Sequence, residues 1–153
     1  MIEPTELVGR SLPTGRYTLT GHEHWLACDA QASPLPSGGT AHPMMAYFAA
    51  LRGAGLPLST LFEWFEAGSA DGVMGGEATV TWWQPLLVGV SSEVAGEIVD
   101  ADRKTGRSGT FDVIMVRDLI EGSDGLAATL TNAFIVPRAA AGVAQSDVAP
   151  VAD

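Results

Sequence analysis

The order of polar and apolar positions divides this chain into a helical stretch followed by a run of strands. Residues 43–51, Pro-Met-Met-Ala-Tyr-Phe-Ala-Ala-Leu, are apolar on every face of a 3.6-residue turn, which predicts a helix buried all round with a sheet wrapped about it. Pro43 suits the first turn, where its missing N–H is not needed, and Gly53 or Gly55 suits the exit. A second helix is expected from Pro57, because Leu58, Leu61, Phe62 and Phe65 fall at i, i+3, i+4 and i+7. Beyond Gly72 the period becomes two: Ala78, Val80 and Trp82 alternate with Glu77, Thr79 and Thr81, as in a half-buried strand. Further strands are expected at 93–102, 110–117 and 127–136, and the second of these is apolar on both faces, as a central strand should be. Lys104-Thr105-Gly106 and Ser123-Asp124-Gly125 turn the chain back between them, since Asp-Gly accepts the positive φ of a tight hairpin.

Before the helix the signals are shorter. Residues 1–12 read as an arm, 15–20 as a short strand, 22–31 as a brief helix and the Pro- and Gly-rich 33–40 as loop. After Pro137-Arg138, residues 139–153 have no period and no aromatic, and read as a flexible tail beyond a single domain at 1–138. Hairpin connections imply an antiparallel meander, because parallel strands would need crossovers. The class is therefore α+β, with two architectures in view: the hotdog, an antiparallel sheet wrapped around a long central helix, and the cone of the nuclear-transport-factor and ketosteroid-isomerase type. Pattern alone does not separate them.

Charge and cysteine content narrow the partners. The chain has 8 basic and 18 acidic residues, a formal charge of −10, and its Lys and Arg are scattered, which argues against a nucleic-acid footprint. Cys28 is the single cysteine and cannot form an internal disulfide. With no run of membrane-spanning length and no apolar signal segment in the first residues, the expectation is a cytoplasmic protein without membrane partners.

Several segments resemble one family. Trp83-Gln84-Pro85-Leu86-Leu87-Val88-Gly89 resembles the aromatic-x-Pro-Leu-x-x-Gly segment of MaoC-like hydratases and related dehydratases. Val94-Ala95-Gly96-Glu97-Ile98-Val99-Asp100, Lys104-Thr105-Gly106, the ending Thr131-Asn132-Ala133-Phe134-Ile135-Val136-Pro137-Arg138 and the opening Val8-Gly9-Arg10 look like its other strands and start. In order, they favour the hotdog. The resemblance implies a homodimer, or a heterodimer with a second hotdog, that takes an acyl thioester of CoA or of a carrier protein as substrate in an interface tunnel. No separate cofactor and no metal are implied, and the reaction is reversible hydration of a 2-enoyl thioester.

The catalytic loop departs from the family. Active members carry Asp-x-Asn-Pro-x-His before the central helix, where the Asp and His hold and deprotonate water and a helix-start N–H polarises the thioester carbonyl. Asp29 is suitably placed and Ser33-Pro34 resembles Asn-Pro, but Leu35 and Pro36 stand where the histidine should be, and Pro43 replaces a glycine whose N–H faces the carbonyl. The resemblance thus leaves Asp29 to hold water, His42 as substitute base and the Met44 amide as carbonyl donor. Each has a plainer role: an Asp at a helix end caps it, and a helix-start His bonds its own loop. Gly75, Gly76 and Glu77 are candidate substrate contacts because a glycine pair permits close approach, with Glu77 otherwise a solvated strand residue. Trp82 and Trp83 point to opposite sides, so one of them could line a pocket while the other packs, core being the plainer place. His22 and His24 lack the i, i+4 spacing of paired metal ligands. The expected rivals are a hydratase or dehydratase, a catalytically silent hotdog subunit completing an active partner, and a thioesterase using Glu77 or Asp29 or an isomerase on the cone.

Overall fold

Among the described residues five strands form one sheet, every neighbouring pair antiparallel. The computed structural model describes residues 2–68, 71–107 and 109–138, so the expected tail at 139–153 lies outside the described residues. The strands are β1 Gly15–Thr18, β2 Met74–Trp82, β3 Ser91–Gly106, β4 Gly109–Gly122 and β5 Gly125–Arg138, lying in the order β1-β3-β4-β5-β2. The helices are α1 Gly21–Ala30, α2 Met45–Gly53 and α3 Leu58–Trp64. The three long strands make the meander that their turns predict. The fourth expected partner does not: β2 pairs with β5, its neighbour being chosen by a long connection rather than a hairpin.

Alternation sets what each strand buries. On β4, Ile114, Val116 and Ile120 face inward and are buried, while Val113 and Met115 on the other face are half-covered, which suits the middle strand of five. On β5, Leu130, Phe134 and Val136 are buried together, as their even spacing requires. These side chains divide between two apolar clusters. One lies under α2 and contains Met45, Ala46, Ala49, Ala50, Val94, Ile120 and Leu130. The other lies under α3 and contains Leu61, Phe65, Ile98, Ile114, Phe134 and Val136. The C-terminal end of α2 meets β1 at backbone distance, because a Cβ on Gly15 would stand 2.1 Å from the Gly53 carbonyl oxygen.

Four expectations are corrected. The first twelve residues are not an arm: a 3-10 helix at Pro4–Leu7 buries Leu7, and the Gly9 and Leu12 amides donate to Ile98 and Gly96 carbonyls of β3, fastening the segment to the sheet. Helix α2 is not covered on every face. Met45, Ala46, Ala49 and Ala50 pack on the sheet, whereas Met44, just before the helix, and Phe48 and Leu51 form an exposed stripe at i, i+4 and i+7. Strand β2 is not half-buried; only Val80 is partly covered, because β2 is an edge strand with no element packed over most of it. Neither Trp82 nor Trp83 is core, at 47% and 58% exposed.

Candidate functional site

The site is built where α1, the loop before α2 and the end of β2 converge. Thr20 caps α1 through a reciprocal box with Glu23: the Glu23 amide donates to Thr20 Oγ1 and the Thr20 amide to the Glu23 carboxylate. One turn on, His24 is buried. The loop then turns at Gly38 and Gly39, both at φ near +73°, a conformation that side chains bearing Cβ seldom adopt. From there it runs along residues 86–88, with the Ala41 amide donating to Leu86 O (2.7 Å) and the Val88 amide to Gly39 O (2.9 Å). This pairing delivers His42 to the start of α2, beside Trp82 and Trp83. His42, Pro43, both tryptophans and Gln84 line a cavity of about 280 Å³.

Hydrogen bonds fix both histidines. The His42 amide donates to His24 Nε2 at 2.9 Å, so Nε2 of His24 is the unprotonated nitrogen and its proton sits on Nδ1. The Met44 amide donates to His42 Nδ1 at 3.2 Å, which places the proton of neutral His42 on Nε2. Trp82 Nε1 donates to Pro43 O at 3.1 Å and ties β2 to the same turn. The Met45, Ala46 and Tyr47 amides donate to the His42, Pro43 and Met44 carbonyls. Pro43 has no N–H, so each amide from Met44 to Tyr47 already has an acceptor. In this arrangement His42 offers a donor rather than a base, and a substrate carbonyl reaches the Met44 amide only by displacing the His42 ring.

The remaining candidates are distributed over the molecule. Asp29 is exposed in the last turn of α1, makes no side-chain hydrogen bond and does not line the His42 cavity. Gly75, Gly76 and Glu77 lie at the other end of β2, with Glu77 about 16 Å along the strand from Trp82. The ladder shifts register between Gly75 and Ala78, so the glycines serve a bulge, and Glu77 is exposed. Among the described residues no three His, Cys, Asp or Glu side chains gather as metal ligands, and Cys28 is buried and free. Sequence reasoning missed His24 as the partner of the His42 amide, since nothing in its spacing marks it. It also passed over Asp118 and Asn132, buried polar residues of β4 and β5 that break an inward-facing apolar row.

The sequence matches no family model and no curated protein. Solved structures do match. A MaoC-like dehydratase from Phytophthora capsici superposes with a TM-score of 0.69 at 11% identity over 98% of this chain, which spans 55% of that one. A chain of the ChsH1-ChsH2 complex from Mycobacterium tuberculosis gives 0.60 at 16% identity, covering 91% of this chain and 90% of that one. A MaoC-like dehydratase from Rhodospirillum rubrum gives 0.57 at 15% identity, covering 87% and 94%. Over most of its length, then, this chain has the hotdog fold of the MaoC-like dehydratases.

Proposed function

We propose that this chain binds an acyl thioester, of CoA or of a carrier protein, at the start of α2, as the non-catalytic hotdog of a two-subunit 2-enoyl thioester hydratase or dehydratase. The carrying observation is that the α2 start has no amide to spare, with Met44 N–H engaged by His42 Nδ1, while Asp29 stands apart from the His42 cavity. General acid-base hydration needs a carboxylate, a basic imidazole nitrogen and a carbonyl donor within mutual reach, and the partner subunit supplies them. The surface for that partner is β2, an exposed edge strand of nine residues bearing Met74 and Trp82 and followed by Trp83. A long uncovered edge is a template for pairing with another sheet. A solved relative in fold is itself a complex of two named components, ChsH1 and ChsH2.

The test is hydration of crotonyl-CoA by the purified chain alone and co-expressed with a hotdog bearing the whole Asp-x-Asn-Pro-x-His set. Activity restricted to the pair is the expected result. Hydration by the chain alone, abolished by Asp29→Asn, would overturn the non-catalytic assignment. Release of free CoA thiol without hydration would make it a thioesterase instead.

One observation favours the self-sufficient hydratase as second reading: His42 lines the same cavity as Trp82, at the positive end of α2. In that case Nε2–H of His42 donates to the forming oxyanion, and His42→Ala removes turnover while sparing thioester binding.

A further inference from the structure

Two polar side chains of the sheet are buried under α2 and α3, and one of them has an unpartnered oxygen. Asp118 on β4 is 5% exposed, its Oδ1 enclosed and without a hydrogen-bond partner, and Asn132 on β5 is 4% exposed. Both line one pocket, roofed by Leu51, Ala54, Leu56 and Leu58 from the end of α2, its connection to α3 and the first turn of α3. Polar groups so placed are normally paired, and each exception asks for an explanation. The fold has made room for this one. A Cβ on Gly96, opposite Asp118 on β3, would stand 2.6 Å from Asp118 Oδ1, so only glycine leaves space for the carboxyl.

The shape of the pocket limits its occupant. Its enclosed space is about 20 Å³, enough for one water or one oxygen-bearing group against the two polar side chains. Its mouth is apolar and open, since Leu51 and Leu58 are both more than a third exposed. The exposed stripe Met44, Phe48, Leu51 runs from the His42 cavity to this mouth, about 10 Å along the helix. An acyl chain laid along that stripe from a thioester at the α2 start ends at the pocket.

We propose that this pocket receives the far end of the acyl group and that Asp118 and Asn132 recognise a hydroxyl or keto oxygen carried there. The substrates are therefore oxygenated acyl thioesters rather than plain alkyl ones. This rests on the acyl-thioester reading above. The Asn132 amide can donate to either oxygen. Burial pushes the Asp118 carboxyl up to about 7, so it is available near neutrality both as a protonated donor to a ketone and as an acceptor from an alcohol.

The experiment is calorimetric titration of the full chain with octanoyl-CoA, its terminal alcohol and its penultimate ketone. The oxygenated pair should bind at least about tenfold tighter, since a site built to bond an oxygen rejects the analogue lacking it. Asp118→Leu and Asn132→Leu should each abolish that preference, bringing the three affinities together. Equal affinities in the unaltered protein, as a pocket holding only a bound water predicts, overturn the proposal, and so does a preference that survives both substitutions. If none of the three binds, the thioester reading itself fails. The carboxyl ¹³C resonance of Asp118 gives the same answer without any substitution: it should move with the alcohol and the ketone and stay put with octanoyl-CoA.

Discussion

Asp112 and Asp118 lie six residues apart on the same face of β4, both buried, and their surroundings make them different acids. Burial alone pushes the Asp112 carboxyl up, but Arg103 and Arg138 outweigh it, with Arg103 Nε at 2.7 Å from one oxygen and Arg138 Nε at 2.7 Å from the other, and hold it below the usual carboxylate range. Arg138 in turn donates to the Phe65 carbonyl at 2.6 Å, tying β5 to the end of α3. Among the described residues no cation answers the same desolvation at Asp118. A buried charge with partners is a structural clasp, whereas a buried acid without them is a cost to folding and, at a pocket wall, a site for something else. The sequence writes both as Asp in an apolar row.

The largest effect expected from disturbing this contrast is at the clasp. Asp112→Ala takes the buried carboxylate from both Arg103 and Arg138 and should cost about 3–5 kcal/mol in urea unfolding. A loss below about 1 kcal/mol would show that the two arginines find solvent or other acceptors.

The pH dependence of stability separates the two acids by sign. Because the folded-state pKa of Asp118 is raised, the folded protein keeps a proton that the unfolded chain has lost, so its contribution declines as pH rises from about 4 to about 7. The ceiling of that decline is about 4 kcal/mol, from a shift of 3.8 to about 7. Asp112 acts oppositely, its stabilisation being present above the unfolded carboxylate pKa and lost as pH falls below it. Thermal melts of Asp118→Leu should therefore show a gain of about 1–3 kcal/mol at pH 8 that shrinks toward pH 4. A pH-independent effect would refute the assignment.

Crowding at Asp118 gives a smaller effect. Gly96→Ala brings a methyl against Asp118 Oδ1 and Leu12 and should cost about 1–3 kcal/mol, largely relieved in combination with Asp118→Ala. Additive losses would mean that Leu12, not Asp118, sets the limit. Least affected is the exposed pair of Arg16 on β1 and Glu93 on β3, 3.2 Å apart, where Glu93→Gln should change stability by no more than about 0.5 kcal/mol. A carboxylate in contact with an arginine is thus worth little at the surface and much in the core.

Much of the fold was legible because it depends on periodicity. The helix at the start of the apolar block, the change of period after Gly72, the two hairpin turns and the central place of β4 follow from alternation and turn chemistry, which are local. The exposed stripe on α2 was not legible. A helix apolar on all faces is consistent with full burial in one chain or with a face left for another, and only the positions of α3 and the sheet decide. The long connection that sends β2 to β5 likewise leaves no pattern, since edge and half-buried strands alternate alike.

The site divides in the same way. By itself the sequence determined that a loop before an apolar helix carries His42, that Pro43 withholds an N–H and that the loop between Ser33 and Gly38 contains no histidine. Only the tertiary structure decided that Met44 N–H is spent on His42 Nδ1, that His24 receives the His42 amide from eighteen residues away, and that Asp29 and Glu77 take no part in the cavity. The physical reason is range: helix and strand preferences are set by neighbours a few residues apart, whereas hydrogen-bond partners and the ionisation of a carboxyl depend on what distant segments bring within a few ångströms.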